Sequence, residues 1–221
     1  MTDDLREEAV YNYRDQTGRL LYQHIRFERK QFCPCHRDGA GNWRWGLGTV
    51  ARVLYRLPEL LAADRDAWTF ITEGEKDCDA VRAIGRTATT PGPPWWWKAS
   101  FREHFRGRRV CILPDNDVIG RAFARRVVMD IRGAPAVVRI LELPGLPPHG
   151  DVSDWLGALT GQTPREQAAA LVNLADAAPD WLFKDRDYVA DSFWPSLIPG
   201  YVAASSGAER AGNINSILCW T

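Results

Sequence analysis

Two short apolar runs, each ending on carboxylates and each followed by residues at helical spacing, constrain this chain more than any other feature. Trp68-Thr-Phe-Ile-Thr runs into Glu73-Gly74, and Val110-Cys-Ile-Leu-Pro runs into Asp115-Asn116-Asp117. Behind the first, Cys78, Val81 and Ile84 share one side of a helix predicted over 75–84. Behind the second, Phe123, Val127 and Ile131 do the same over 119–131. Strands over 68–72 and 109–113, and a third over 137–143 between prolines, alternate with these helices. That alternation predicts a parallel sheet with right-handed crossovers. Carboxylates at the C-terminal ends of neighbouring parallel strands meet in the crevice where open α/β sheets bind ligands. Acids crowded there repel one another unless a cation neutralises them, and hard oxygen ligands suit Mg²⁺, with Mn²⁺ as a substitute.

The flanks read differently. Residues 9–28 alternate, are rich in tyrosine and enclose Asp15-Gln16-Thr17-Gly18, which predicts a β-hairpin. Residues 29–42, with Pro34, Gly39 and Gly41, read as loop, and Trp43-Arg44-Trp45 as a short strand. A short helix is expected over 54–63, where Pro58 must lie in the first turn or break it. Residues 85–98, holding Pro91-Gly92-Pro93-Pro94 and three consecutive tryptophans, read as loop. An Ala-rich helix is expected over 164–178, and a flexible tail beyond Pro179. The fold class expected is α/β, with a small β-rich subdomain over 1–64, the parallel-sheet domain over 65–160 and a C-terminal helix and tail over 161–221.

Bulk properties narrow the partners. With 221 residues and 45% hydrophobic content the chain can bury a real core. Its 28 basic and 28 acidic residues cancel, so attraction to a polyanion must come from local patches. All but Lys30, Lys76, Lys98 and Lys184 of the basic residues are arginines, a bias that fits bidentate phosphate contacts and fits a GC-rich genome equally. Five scattered cysteines form no disulfide framework, and the acidic start lacks the apolar core of a signal peptide. No apolar run approaches the ~20 residues that span a bilayer, so the expectation is a cytoplasmic protein without a membrane partner.

Taken singly, Glu73 reads as an acid satisfying a helix N-terminus, and Asp115-x-Asp117 as a turn or cap. Taken together, each after a strand and before a helix, they favour a functional site. Ile71-Thr-Glu73-Gly-Glu-Lys-Asp77 with Leu113-Pro-Asp115-Asn-Asp117-Val-Ile-Gly120-Arg121 resembles the signature of the TOPRIM domain, shared by bacterial-type primases, topoisomerases, recombination mediators and some nucleases. The resemblance implies a TOPRIM parallel-sheet sandwich in which Glu73 is the acid/base or metal residue and Asp115 and Asp117 hold Mg²⁺. Asp77 matches a further acid of the primase branch. Asp151-Val-Ser-Asp154 resembles another primase segment, Asp151 matching its first acid and Ser153 standing where the second is expected. Val53-Leu-Tyr55-Arg-Leu57 and Tyr13-Arg14-Asp-Gln-Thr-Gly18-Arg19 resemble runs that precede the core in primases, the closest being phage- and plasmid-encoded ones.

The resemblance implies catalytic residues Glu73, Asp115 and Asp117, with Asp77 and Asp151 as further metal ligands. The DNA- and nucleotide-binding set expected is Arg14, Arg19, Arg26, Lys76 and Arg121. Arg102, Arg106, Arg108 and Arg109 form a further basic run. Hairpin tyrosines serve either as stacking surfaces for single-stranded DNA or as one buried face, and the second use is favoured. Of Trp95, Trp96 and Trp97, at least one is expected at the surface. Cys33-Pro-Cys35-His36 is too tight and lacks a fourth ligand, so no zinc is expected. No P-loop sequence occurs. The implied activity is template-directed synthesis of RNA primers on single-stranded DNA from ribonucleoside triphosphates, with a replicative helicase as a partner. A TOPRIM nuclease and a non-catalytic DNA-binding remnant are the alternatives, and the chain reads as an isolated core, a truncated product or one piece of a split system.

Overall fold

The computed structural model describes residues 6–181, and the tail expected beyond Pro179 lies almost wholly outside them. Two four-stranded sheets organise the chain. The first is antiparallel, in the order β1 (Glu7–Arg14), β2 (Leu20–Phe27), β3 (Gln31–Arg37), β4 (Trp43–Trp45). The hairpin forms where expected, closed by Asp15, whose carboxylate accepts hydrogen bonds from the Thr17 and Arg19 backbone N–H groups at 2.9 and 3.1 Å. Residues 31–37 are a strand and not the loop that Pro34 and the glycines suggested. Proline costs the ladder only a donor, and the Pro34 carbonyl still accepts from Gly46 N–H at 2.7 Å.

The second sheet is parallel, in the order β6 (Thr87–Thr89), β5 (Trp68–Ile71), β7 (Arg109–Ile112), β8 (Val137–Ile140). Its three longer strands match the apolar runs, while β6 falls inside the stretch read as loop. Crossovers run through α2 (Glu75–Ala83) and α3 (Val118–Ile131). α1 (Leu57–Ala62) carries Pro58 in its first turn, and α5 (Pro164–Ala177) opens on a Thr163–Glu166 capping box. α4 (Val152–Ala158) was not expected; it is set by a second capping box, Asp151–Asp154.

Alternation along the central strands divides the core in two. Phe70 and Cys111 face a cluster with Tyr13, Tyr22, Val81, Trp155 and Leu171, which joins the parallel sheet to the inner face of the antiparallel one. Ile71 and Ile112 face the other way, against Leu54, Leu60, Phe105, Phe123 and Val127. Both faces of the parallel sheet are therefore covered, which is why its strands read as continuous apolar runs. Tyr11, Tyr13 and Tyr22 are buried, so the tyrosines form a packed face. Trp96 and Trp97 are buried and Trp95 is 42% exposed.

One polar group sits at the centre of the first cluster. Glu75, 3% exposed at the start of α2, takes hydrogen bonds on a single oxygen from Tyr13 Oη and His24 Nδ1, each at 2.6 Å. Trp96 packs over His24 with ring centroids 4.9 Å apart, and Gly92, with φ of +92°, brings the 91–97 loop down on the Tyr13 hydroxyl where a side chain would collide. Tyr13→Phe would leave a buried carboxylate short of a donor, and is expected to lower unfolding free energy by about 1–3 kcal/mol. Urea denaturation measures this directly; unchanged stability would show that the network contributes nothing.

Candidate active site

Glu73 follows β5 through Thr72, and Asp115 and Asp117 follow the neighbouring strand β7 through Leu113 and Pro114. The two strands pair in parallel, Ile71 beside Ile112, so their C-terminal ends deliver the acids to one place. Glu73 Oε1 accepts the Asp115 backbone N–H at 2.9 Å, which ties the two motifs together. Glycine is needed where α3 begins, because a Cβ on Gly120 would collide with the Glu73 carboxylate and the Asp115 backbone. Asp117 caps α3 by accepting the Gly120 N–H at 2.8 Å and lies 3.1 Å from His149 Nδ1.

Asp77 is buried in the first turn of α2 and accepts a 2.6 Å hydrogen bond from Ser153. Asp151 caps α4 and receives Lys76 Nζ at 2.6 Å; the same ammonium lies 3.6 Å from Asp77. Ser153, which replaces the expected second acid, thus acts as a donor that holds Asp77. Asn116 fastens the 146–150 loop to the Asp115–Asp117 segment through its amide, which donates to the Leu146 and Pro147 carbonyls at 3.0 Å. Asn116, Ser153 and His149 lie outside the site set expected from the sequence. His149 carried no sequence signal, whereas Asn116 stood between the two aspartates.

The electrostatics follow from this crowding. Burial, then the charges of Glu73, Asp77, Asp151 and Asp117, push the Asp115 carboxyl up to about 8. Burial likewise raises Glu73, to about 7, the Asp115 N–H opposing and the aspartates adding to the rise. Asp77 is raised to about 6, chiefly by burial and against the Ser153 hydrogen bond. Burial also acts to raise Asp151 and Asp117, yet Lys76 on the one and the Gly120 N–H and His149 on the other outweigh it, and both lie below the ordinary carboxylate range.

Among the described residues, no three His, Cys, Asp or Glu side chains are grouped closely enough to form a ready-made metal cage. The donor set nevertheless suits a hard divalent cation: oxygen ligands only, brought together by strands and helix N-termini, with mutual repulsion that a cation would relieve. Glu73, Asp115 and Asp117 are the residues that would hold it.

The remaining expected residues are dispersed. Arg121 lies beside the acids, its guanidinium donating to Asn116 Oδ1 at 3.3 Å, and lines a surface pocket of about 400 Å³ with Asp117, Ile119 and His149. Arg14 and Arg19 flank the hairpin turn, and Arg26 pairs with Glu8 at 2.9 Å. The arginines of the 102–109 run differ in exposure, Arg108 being buried and Arg106 exposed. Arg108 is 1% exposed and donates to the carbonyls of Leu61, Ala63 and His104, while Arg106 and Arg109 pair with Glu103 and Asp176.

A carboxyl whose folded pKa exceeds its unfolded value contributes stability at low pH that is lost as pH rises through the folded value. For Asp115 that window runs from 3.8 to about 8. In the presence of a chelator, Asp115→Asn is therefore expected to melt at a higher temperature than the native sequence near the upper end of this window, with the difference vanishing near the lower end. Parallel melting curves across the window would contradict the crowding of these acids.

No family model matches the sequence, and no curated protein matches it. Solved structures do. The chain is similar to the DnaG catalytic core at 20% identity and a TM-score of 0.55, over 77% of this chain and 53% of that one. It is also similar to the Aquifex aeolicus primase, zinc-binding and RNA polymerase domains, at 16% identity and a TM-score of 0.57, over 81% of this chain and 45% of that one. The chain thus spans about half the length of these two structures. At such identities the likeness concerns the fold, and the fold of this chain is primase-like.

Proposed function

We propose that this chain is a TOPRIM-type nucleotidyltransferase core that joins ribonucleotides on a single-stranded DNA template with Mg²⁺. The observation that carries the proposal is the link between Glu73 at the end of β5 and Asp115 at the end of β7, within a primase-like fold. The acids stand where a parallel sheet presents ligands, and their spacing matches the signature that the sequence resembles. The wider reading, with ribonucleoside triphosphates as substrates and a replicative helicase as partner in phage or plasmid DNA replication, rests on that resemblance.

The residues divide the work. Bound at Glu73, Asp115 and Asp117, the cation would neutralise charge on the reacting phosphate and orient the attacking and leaving oxygens. Glu73, a largely buried carboxyl pushed up to about 7 while no cation is bound, would act as the acid/base only where it is not itself a ligand of the cation. Asp117 is held in place by Gly120 N–H, so its free lone pairs keep a fixed direction. Lys76, pinned between Asp77 and Asp151, keeps those two acids from repelling one another. Arg121 lines the pocket beside Asp117 and would meet a triphosphate bound there. Most of the rate enhancement would come from positioning and charge.

With Mg²⁺, ribonucleoside triphosphates and a single-stranded template, the protein is expected to yield short labelled RNA. Asp117→Asn is expected to reduce this by about 100-fold or more, the loss of several kcal/mol of charge stabilisation. Degradation of the template without added nucleotides would replace the synthetic reading with a nuclease. DNA binding with neither reaction at any metal concentration would leave the remnant.

A further inference from the structure

The face of the antiparallel sheet that points away from the parallel one carries features that the carboxylate site does not use. Register places Trp43 opposite Arg37, Trp45 opposite Cys35, and Gln23 opposite Cys35 on the next strand, all on this face. Beneath them lie Ile25, Phe27, Cys33 and Cys35, a small apolar cluster separate from the two main cores. A monomeric sheet of this size normally leaves polar residues on its outer side. Here the edge strand presents two tryptophans that are 42% and 48% exposed.

The geometry is that of a stacking surface. Successive residues of a strand face opposite ways, so Trp43 and Trp45 share one side, about 7 Å apart along the strand. Between them and Gln23, Ile25 and Arg44 lies a shallow pocket of about 290 Å³. The Arg37 guanidinium lies 4.5 Å from the Trp43 ring centre and donates to the Gly41 carbonyl at 2.7 Å, and Trp45 leans on Phe27 at 6.2 Å, so each indole is held from one side. Charge complements the rings. From Arg29 to Arg37 the chain carries Arg29, Lys30 and Arg37 and no acid, although the whole chain is neutral. Asp38, next in the chain, is itself occupied, accepting the Ala40 and Asn42 N–H groups and pairing with Arg44 at 2.8 Å.

We propose that the outer face of β3 and β4 is a docking surface for single-stranded nucleic acid, with bases stacked on Trp43 and Trp45 and phosphates met by Arg37 and its cationic neighbours. Aromatic platforms with a basic surround bind single strands without sequence preference, because every base has a π-face. A duplex, whose bases are already stacked, has no face to offer them. This surface does not depend on the carboxylates, so it stands or falls separately from the nucleotidyl-transfer reading.

The test is fluorescence anisotropy of labelled oligothymidylate and oligouridylate, without metal or nucleotides, against the full chain. Trp43→Ala with Trp45→Ala is expected to weaken binding by about tenfold for each ring removed. Arg37→Ala is expected to flatten the salt dependence by about 0.7 in the logarithmic slope. Trp43→Phe with Trp45→Phe, which preserves a ring at each position, is expected to recover part of the affinity and guards against misfolding of the alanine variant, itself checked by circular dichroism. Preference for one oligonucleotide identifies the strand as DNA or RNA. Unchanged affinity in a folded alanine variant overturns the proposal, and so does equal binding to duplex. Absence of binding, with sedimentation showing dimers that the alanine variant dissociates, overturns it in favour of a second copy of this chain.

Discussion

The arrangement of the molecule depends on one buried charge. Glu75 opens α2, two residues beyond Glu73, and its carboxylate is enclosed by Tyr13 and His24 from the antiparallel sheet. Burial on its own would raise the Glu75 carboxyl, but the hydrogen bonds from His24 and Tyr13 hold it below the ordinary range. Isolated in that position the charge would cost several kcal/mol. The two sheets therefore cannot separate or slide without stranding it. The segment that carries Glu73 is fixed from one side by this contact and from the other by the Asp115 N–H.

That constraint explains why the acids stay where they repel. A flexible loop would swing its carboxylates apart, whereas here each acid is anchored by its own backbone element. Asp117 and Asp151 are helix caps, Asp77 sits inside α2, and Glu73 and Asp115 follow paired strands. The 146–150 loop is laced to Asn116 and brings His149 alongside Asp117. Rigid elements hold the acids together, and burial with mutual repulsion leaves Glu73, Asp77 and Asp115 resisting ionisation while Asp117 and Asp151 stay charged.

The parallel sheet and its acids were legible in the sequence because they rest on local pattern. Trp68–Ile71 and Arg109–Ile112 are buried on both faces and leave unbroken apolar runs, and helical spacing follows each. β3 was hidden because Pro34 punctuates it, and β6 because three residues, Thr87–Thr89, make no run. α4 could have been found from Asp151-x-x-Asp154 as a capping box, a signal overshadowed by the motif it overlaps. The Tyr13–Glu75–His24 network had no sequence signature at all: its members lie 62 and 51 residues apart and meet only through tertiary packing. The arginines before β7 show the same limit, since Arg108 looks like its neighbours in sequence but is buried against three backbone carbonyls, whereas the Arg106 side chain is 63% exposed.

The central proposal is that Glu73, Asp115 and Asp117 hold one divalent cation. Anomalous diffraction from crystals grown with Mn²⁺ tests it most directly. The account predicts a manganese peak within coordinating distance of Asp115 or Asp117 and of Glu73. Ordered density for all three carboxylates with manganese bound only elsewhere would contradict it.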